Sequence, residues 1–396
     1  MKLSDIKVYT VATPAPHFGG RYWIFVKLTT ACGIDGIGEV YSPPFHPDVV
    51  EKMIEDVFER NVKGNAPSEI EKMYRNVYST GYSQRPDPTL MSIFSGIETA
   101  CWDIQGKALN RPVYDLLGGK VRDRLRSYTY LYPKPEDKTN VYADPDLAAE
   151  RAADYVAQGF TGIKFDPTGP YTAFDGRFIN LEDMDRAETF CRKIREAVGS
   201  KADLLFGTHG QMTPASAIRL AQRLEQYEPL WFEEPTPPDM PEEMALVARG
   251  TKIPVSTGER LVSKYEFSRV LQNRSASILQ FAVGRVGGIW EAKKIAGMAE
   301  TFYAQIAPHL YCGPVEEAAN IHLCLSTPNF LIQESIQDMR SFHGDVLKTP
   351  IKWEEGYLYA HDAPGLGIEL NEDVIAANPY TDSDLHLEFH PYNFDF

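Results

Sequence analysis

From residue 125 to residue 334, short apolar runs alternate with stretches of helical period, and strand ends recur about every 25 residues after the second. Runs at 127–132, 162–167, 204–209, 230–233, 255–259, 277–282, 306–309 and 330–334 read as strands. Short, nearly continuous apolar segments of this kind belong to strands covered on both faces. Helices are predicted over 146–159, 180–199, 213–227, 241–249, 263–272, 289–303 and 315–326. Asn180 is placed to cap one of them and Gly199 to stop it, while Pro214 takes the favoured first position of the next. Eight strands separated by seven helices is the spacing of β/α units in a closed barrel.

The first 120 residues follow another rule. Alternating apolar and polar residues over 6–40, broken by the turn Cys32-Gly33-Ile34-Asp35-Gly36, predict an antiparallel meander. Helical patterns follow at 49–59, 69–78 and 89–109, the last with a wide apolar face through Ile93, Ile97, Ala100 and Ile104. The expected division is an α+β domain over 1–124, a barrel over 125–364, and a return of 365–396 to the first domain.

An apolar fraction of 43% supplies a globular core, and no run of about 18 apolar residues suggests a membrane span. The first residues lack the apolar segment of a signal peptide, which points to the cytoplasm. Five scattered cysteines without metal-type spacing read as buried reduced thiols. A net charge of −15 argues against nucleic acid as partner, because binding it needs a basic footprint. A small anionic substrate stays compatible, since a few cations in a cleft can reverse the local field.

The ends of the predicted strands carry chemistry. Reading them in order gives Lys164 and Asp166, then His209, Glu233, Glu259, Ala282, His309 and Glu334. Barrel interiors are filled with branched apolar side chains, and burying unpaired charge is costly, so this set is not packing. Glu233 and Glu259, from adjacent strands, offer hard oxygen ligands suited to Mg²⁺. Lys164 or Asp166 on one side and His309 on the other can act as acid and base on a bound substrate. Glu334 can hydrogen-bond an oxyanion when protonated or a hydroxyl when ionised. Abstracting the weakly acidic proton beside a carboxylate requires a divalent cation to absorb charge at the developing enediolate. There is no Gly-x-Ser-x-Gly elbow and no P-loop or dinucleotide fingerprint after a strand.

These residues, with Ser95-Gly96-Ile97-Glu98, Pro112-Val113-Tyr114-Asp115-Leu116-Leu117-Gly118-Gly119, Phe232-Glu233-Glu234-Pro235, Gly258-Glu259-Arg260-Leu261 and Pro308-His309, resemble the enolase superfamily. The resemblance spans nearly the whole chain and is to the mandelate racemase/muconate lactonizing enzyme branch. Thr208-His209-Gly210 and Leu331-Ile332-Gln333-Glu334-Ser335 are most similar to its acid-sugar dehydratases of the galactonate type.

The resemblance implies an α/β fold, a modified TIM barrel of (β/α)7β form with an α+β N-terminal capping domain. It implies Mg²⁺ on Glu233 and Glu259, His309 as base and His209 as acid for a departing β-hydroxyl. Lys164 and Glu334 would meet the substrate carboxylate, with Arg260 also among the binding residues. His17, Arg21, Tyr22 and Arg85 would read the substrate's distal end. The partner implied is a small-molecule carboxylate, an acid sugar, and the assembly a homo-oligomer.

Two positions depart from the pattern. Gly207 stands where the third metal ligand, an aspartate, is expected, and Ala282 where a carboxylate would orient the catalytic histidine. Asp166 either supplies the missing carboxylate, directly or through water, or pairs with Lys164 or Arg260. A racemase, epimerase or cycloisomerase using the same enediolate is the alternative enzyme, and a catalytically silent acid-sugar-binding homologue the alternative outside catalysis.

Overall fold

A computed structural model describes residues 1–41, 43–82, 85, 87–166, 168 and 176–387. Strands β1 (Leu3–Ala12), β2 (Tyr22–Thr30) and β3 (Asp35–Val40) form the expected antiparallel meander, with Val8 opposite Val26 and Val26 opposite Gly38. Helix α1 (Pro47–Val57) runs on into a short π-turn, and α2 (Ile70–Tyr78) precedes the long α3 (Pro88–Leu109). Asp87 caps α3 by accepting the Leu90 N–H, and Asn110 ends it in the left-handed conformation. Backbone meets backbone where α3 crosses the meander. A Cβ on Gly38 would lie 1.8 Å from the Gly96 carbonyl oxygen, so only glycine fits there.

After α4 (Val113–Leu116) the chain alternates strictly: β4 (Leu125–Tyr130), α5 (Pro145–Gln158), β5 (Gly162–Phe165), α6 (Leu181–Val198), β6 (Asp203–Phe206), α7 (Pro214–Leu224), β7 (Trp231–Glu233), α8 (Pro241–Gly250), β8 (Val255–Thr257), α9 (Lys264–Asn273) and β9 (Ile278–Leu279). A short α10 (Val283–Val286), absent from the sequence reading, precedes α11 (Ile289–Thr301), β10 (Gln305–Ile306), α12 (Pro314–Leu325) and β11 (Gln333–Ser335). Strands β4 to β10 pair in parallel in sequence order. The ring closes because β11 pairs with β4 and Phe330 bridges to Ile306. This is the α/β architecture of a (β/α)7β barrel with an N-terminal cap.

The last barrel strand begins later than the apolar run at 330 suggested, since Phe330 makes only that single bridge. Asn180 and Thr213 cap α6 and α7 through their side-chain oxygens, as their residue types favour. Four cysteines are buried thiols, but Cys32 is exposed at the β2–β3 turn, a correction to the sequence reading. Among the described residues no helix is long and apolar enough to cross a membrane.

Beyond the barrel lie α13 (Phe342–Asp345), the hairpin β12 (Lys352–Glu354) and β13 (Tyr357–Tyr359), and α14 (Glu372–Ala377). The segment after the hairpin packs on α3, where Asp103 accepts the N–H groups of Leu366 (2.9 Å) and Ile37 (3.0 Å). Carboxylates of the cap also seat barrel helices. Glu98 of α3 accepts the N–H groups of Ile289 (2.7 Å) and Trp290 (2.9 Å) at the start of α11. Glu39 of β3 accepts the Glu316 N–H at 3.0 Å, in the first turn of α12. Burial raises both carboxyls to about 8, and what each supplies is acceptors for helix N–H groups that have no partner within the helix, so the cap is held against the barrel by hydrogen bonds as well as apolar contact.

Candidate active site

Strand alternation builds the site. Tyr128, Leu205, Trp231, Ile278, Ala307 and Ile332 form a separate buried cluster inside the barrel, with Tyr128 edge-on to Trp231 at 5.3 Å. Side chains two residues apart on a strand share a face. Adding two to each position therefore gives the next interior layer: Tyr130, Gly207, Glu233, Gln280, His309 and Glu334. Lys164 enters the same layer two residues beyond Gly162.

Lys164 is buried, with its Nζ 2.6 Å from Glu233 Oε1 and 3.4 Å from Glu334 Oε1. The Tyr130 ring centre is 5.7 Å away. Burial disfavours the ammonium, but Glu233 and Glu334 outweigh it and hold Lys164 well above the usual lysine range. Gln280, which the sequence reading missed, donates from Nε2 to the other oxygen of Glu233 at 2.8 Å. Glu334 accepts the Leu310 N–H at 2.8 Å, and burial raises its carboxyl to about 7 against the pull of Lys164.

Glu259 enters from outside this alternation, because Gly258 turns the chain at φ 142° just past β8. Its Oε2 lies 3.4 Å from His309 Nε2 and its Oε1 4.0 Å from His209 Nε2. Burial opposes its ionisation, but His309, His209 and Lys164 outweigh that and lower the carboxyl to about 2. The two histidines are tuned apart. Burial drives His309 down to about 3, leaving its imidazole neutral near pH 7 and able to accept a proton. Burial also works against charge on His209, yet the hydrogen bond to Asp166 and the charge of Glu259 raise it above the ordinary histidine value.

Among the described contacts Asp166 pairs with His209 rather than with Lys164 or Arg260. Its Oδ2 is 3.1 Å from His209 Nδ1, and its Oδ1 accepts from Thr168 Oγ1 at 2.9 Å. The reason is placement: both Asp166 and His209 lie just past their strand ends, where strand alternation no longer sets side-chain direction. His309 shows the opposite situation. Its Nδ1 is buried with no hydrogen-bond partner among the described residues. Ala282, the residue in place of the usual orienting carboxylate, is the N-cap of α10.

Glu234, next to Glu233, turns the other way at φ 37° and is tied to Arg260 by bonds of 2.9 and 2.6 Å. Arg260, expected as a substrate contact, is thus drawn to a fully buried carboxylate that needs a counter-charge. Arg21 pairs with Asp384 at 3.1 Å, and His17 Nδ1 is 3.1 Å from Thr13 Oγ1. Tyr22 is buried against Tyr380 and His386, and His386 in turn meets Tyr41, whose ring is 5.8 Å from that of His309. Arg85 is exposed and is not joined to these groups by any described contact.

The Mg²⁺ implied by the sequence resemblance requires a donor set. Among the described residues, no group of three or more His, Cys, Asp or Glu side chains is arranged to hold a metal ion. Glu233 has both oxygens engaged, by Lys164 and by Gln280. At the third position a Cβ on Gly207 would lie 3.3 Å from Lys164 Cε, so a larger residue there would have to shift the lysine stem by a few tenths of an ångström. As arranged, these side chains do not fit a caged divalent ion.

Profiles of known families match most of the chain. An enolase C-terminal domain-like family matches residues 147–374, and the mandelate racemase/muconate lactonizing enzyme N-terminal domain matches residues 11–118. The chain is 34% identical to a D-galactonate dehydratase of Xanthomonas campestris pv. campestris strain B100, over 95% of this chain and 94% of that one. It is 31% identical to a D-xylonate dehydratase of Haloferax volcanii, over 91% and 86% of the two chains. A solved mandelate racemase/muconate lactonizing enzyme-like protein from Roseovarius sp. TM1035 superposes with a TM-score of 0.96 at 55% identity, covering 98% of each chain.

Proposed function

The chain belongs to the mandelate racemase/muconate lactonizing enzyme branch of the enolase superfamily, and within it we propose that it dehydrates a sugar acid to a 2-keto-3-deoxy acid. The observation that carries this reading is the placement of two histidines on the two oxygens of Glu259, with only His209 backed by a carboxylate. Neutral His309 takes the C2 proton. The Lys164 ammonium, fixed by Glu233 and Glu334, lies where it meets the substrate carboxylate and the charge that develops on it as C2 is deprotonated. His209, whose proton affinity Asp166 raises, gives its proton to the C3 hydroxyl, which leaves as water. The resulting enol tautomerises to the 2-keto acid, so the balance is one sugar acid in, one keto acid and one water out. A racemase needs no acid for a leaving group, and the pairing of half-buried His209 with buried Asp166 favours dehydration on that ground.

The test is a panel of aldonic and aldaric acids incubated with the protein in D₂O. Formation of 2-keto-3-deoxy product from at least one acid is expected. Deuterium entering C2 without keto acid would refute the leaving-group role of His209. Neither product nor exchange from any acid would refute the enzyme reading in favour of a binding protein.

A further inference from the structure

We propose that Lys164 is the resident cation of this site, standing in for the divalent ion that members of this superfamily generally use. Three independent features of this chain converge on it. Gly207 removes the third carboxylate, and the stem of Lys164 lies 3.3 Å from where a Cβ would sit. The ammonium lies within 2.6 Å of one carboxylate and 3.4 Å of a second. Gln280 donates to the remaining oxygen of Glu233, so each oxygen of that carboxylate already carries a protein donor.

The exchange is chemically sensible. Mg²⁺ loses its hydration shell reluctantly and gains from each anionic ligand, so removing one of three carboxylates weakens its hold. An ammonium on a tether loses no translational freedom on arrival and satisfies the carboxylates with three donors. Lysine at 164 and glycine at 207 are therefore a coupled pair: an aspartate at 207 would have to push the lysine stem aside.

Metal content and thermal unfolding of the whole chain test this without any turnover, so the outcome is separable from that of the dehydratase reading. Wild-type protein is dialysed against EDTA, returned to buffer with Mg²⁺, and desalted. Less than about 0.1 Mg²⁺ per chain is expected, with Tm unchanged within about 1 °C by 10 mM MgCl₂. The double variant Gly207→Asp/Lys164→Met, which restores the carboxylate and removes the ammonium, is expected to gain a Mg²⁺-dependent rise in Tm of about 2 °C or more. One Mg²⁺ per wild-type chain, or a Mg²⁺-dependent rise in wild-type Tm, overturns the proposal. So does a folded double variant with no response to Mg²⁺. If the double variant does not fold, the wild-type measurements decide alone.

Discussion

Replacing Asp166 by Asn tests the division of labour between the two histidines. In the wild type Asp166 Oδ2 lies 3.1 Å from His209 Nδ1 in a site largely withdrawn from water. Two unit charges at that distance attract by roughly 5 kcal/mol at an effective dielectric constant of about 20, an upper bound before desolvation is subtracted. An opposite charge this close shifts a pKa by about 1–3 units in practice. Glu259, 4.0 Å from the other ring nitrogen, continues to hold His209 up in the variant, so the lower part of that range applies. The expected fall is about 1–2 units, or about 1.4–2.7 kcal/mol.

The sign follows from linkage. His209 is raised above its unfolded value of 6.5, so the pair's contribution to stability is complete below pH 6.5 and is lost as pH rises through the folded value. Dehydration needs His209 charged and His309 neutral. Since His309 titrates at about 3, activity is set on the alkaline side by His209. In Asp166→Asn the alkaline limb of kcat/KM moves down by about 1–2 pH units, and the His209 imidazole midpoint seen by NMR moves with it. An unchanged limb together with an unchanged midpoint would refute the reasoning.

Two stability predictions concern how the site is carried. Gly162→Ala puts a Cβ 2.9 Å from Tyr128 Cβ and 3.0 Å from Ile332 Cδ1 beneath the polar layer, and overpacking of this kind costs about 1–3 kcal/mol in urea unfolding. No loss of midpoint would mean the interior cluster is not tightly packed. Glu98→Gln turns an amide toward the Ile289 and Trp290 N–H groups that the carboxylate now accepts, and a loss of about 1–3 kcal/mol is expected in the same assay. A change below about 0.5 kcal/mol would show that these hydrogen bonds contribute little to holding the cap on the barrel.

The sequence announces the architecture because its repeat is physical: each apolar run is a strand that must be covered, and each amphipathic stretch is what covers it. The same alternation made Lys164, Glu233, His309 and Glu334 legible, since each stands two residues beyond a large or apolar interior position. Gln280 obeys this rule too, two beyond Ile278, but the apolar run continues past it to position 282 and hides it inside the predicted strand. Strand β9 ends at Leu279, so 282 already belongs to α10 and its side chain is no longer part of the barrel layer. The pairing of Asp166 with His209 was illegible for a related reason. Beyond the strand ends at Phe165 and Phe206 the period of two no longer fixes direction, and partners depend on how two loops turn.

The chain's two departures thus have different consequences. At 207 a neighbouring side chain borders the gap and supplies a charge. At 282 nothing among the described residues does, and His309 Nδ1 is left buried and unpaired. A buried nitrogen without a partner costs free energy, and the residue expected to be the base is the one whose second ring nitrogen no described side chain orients.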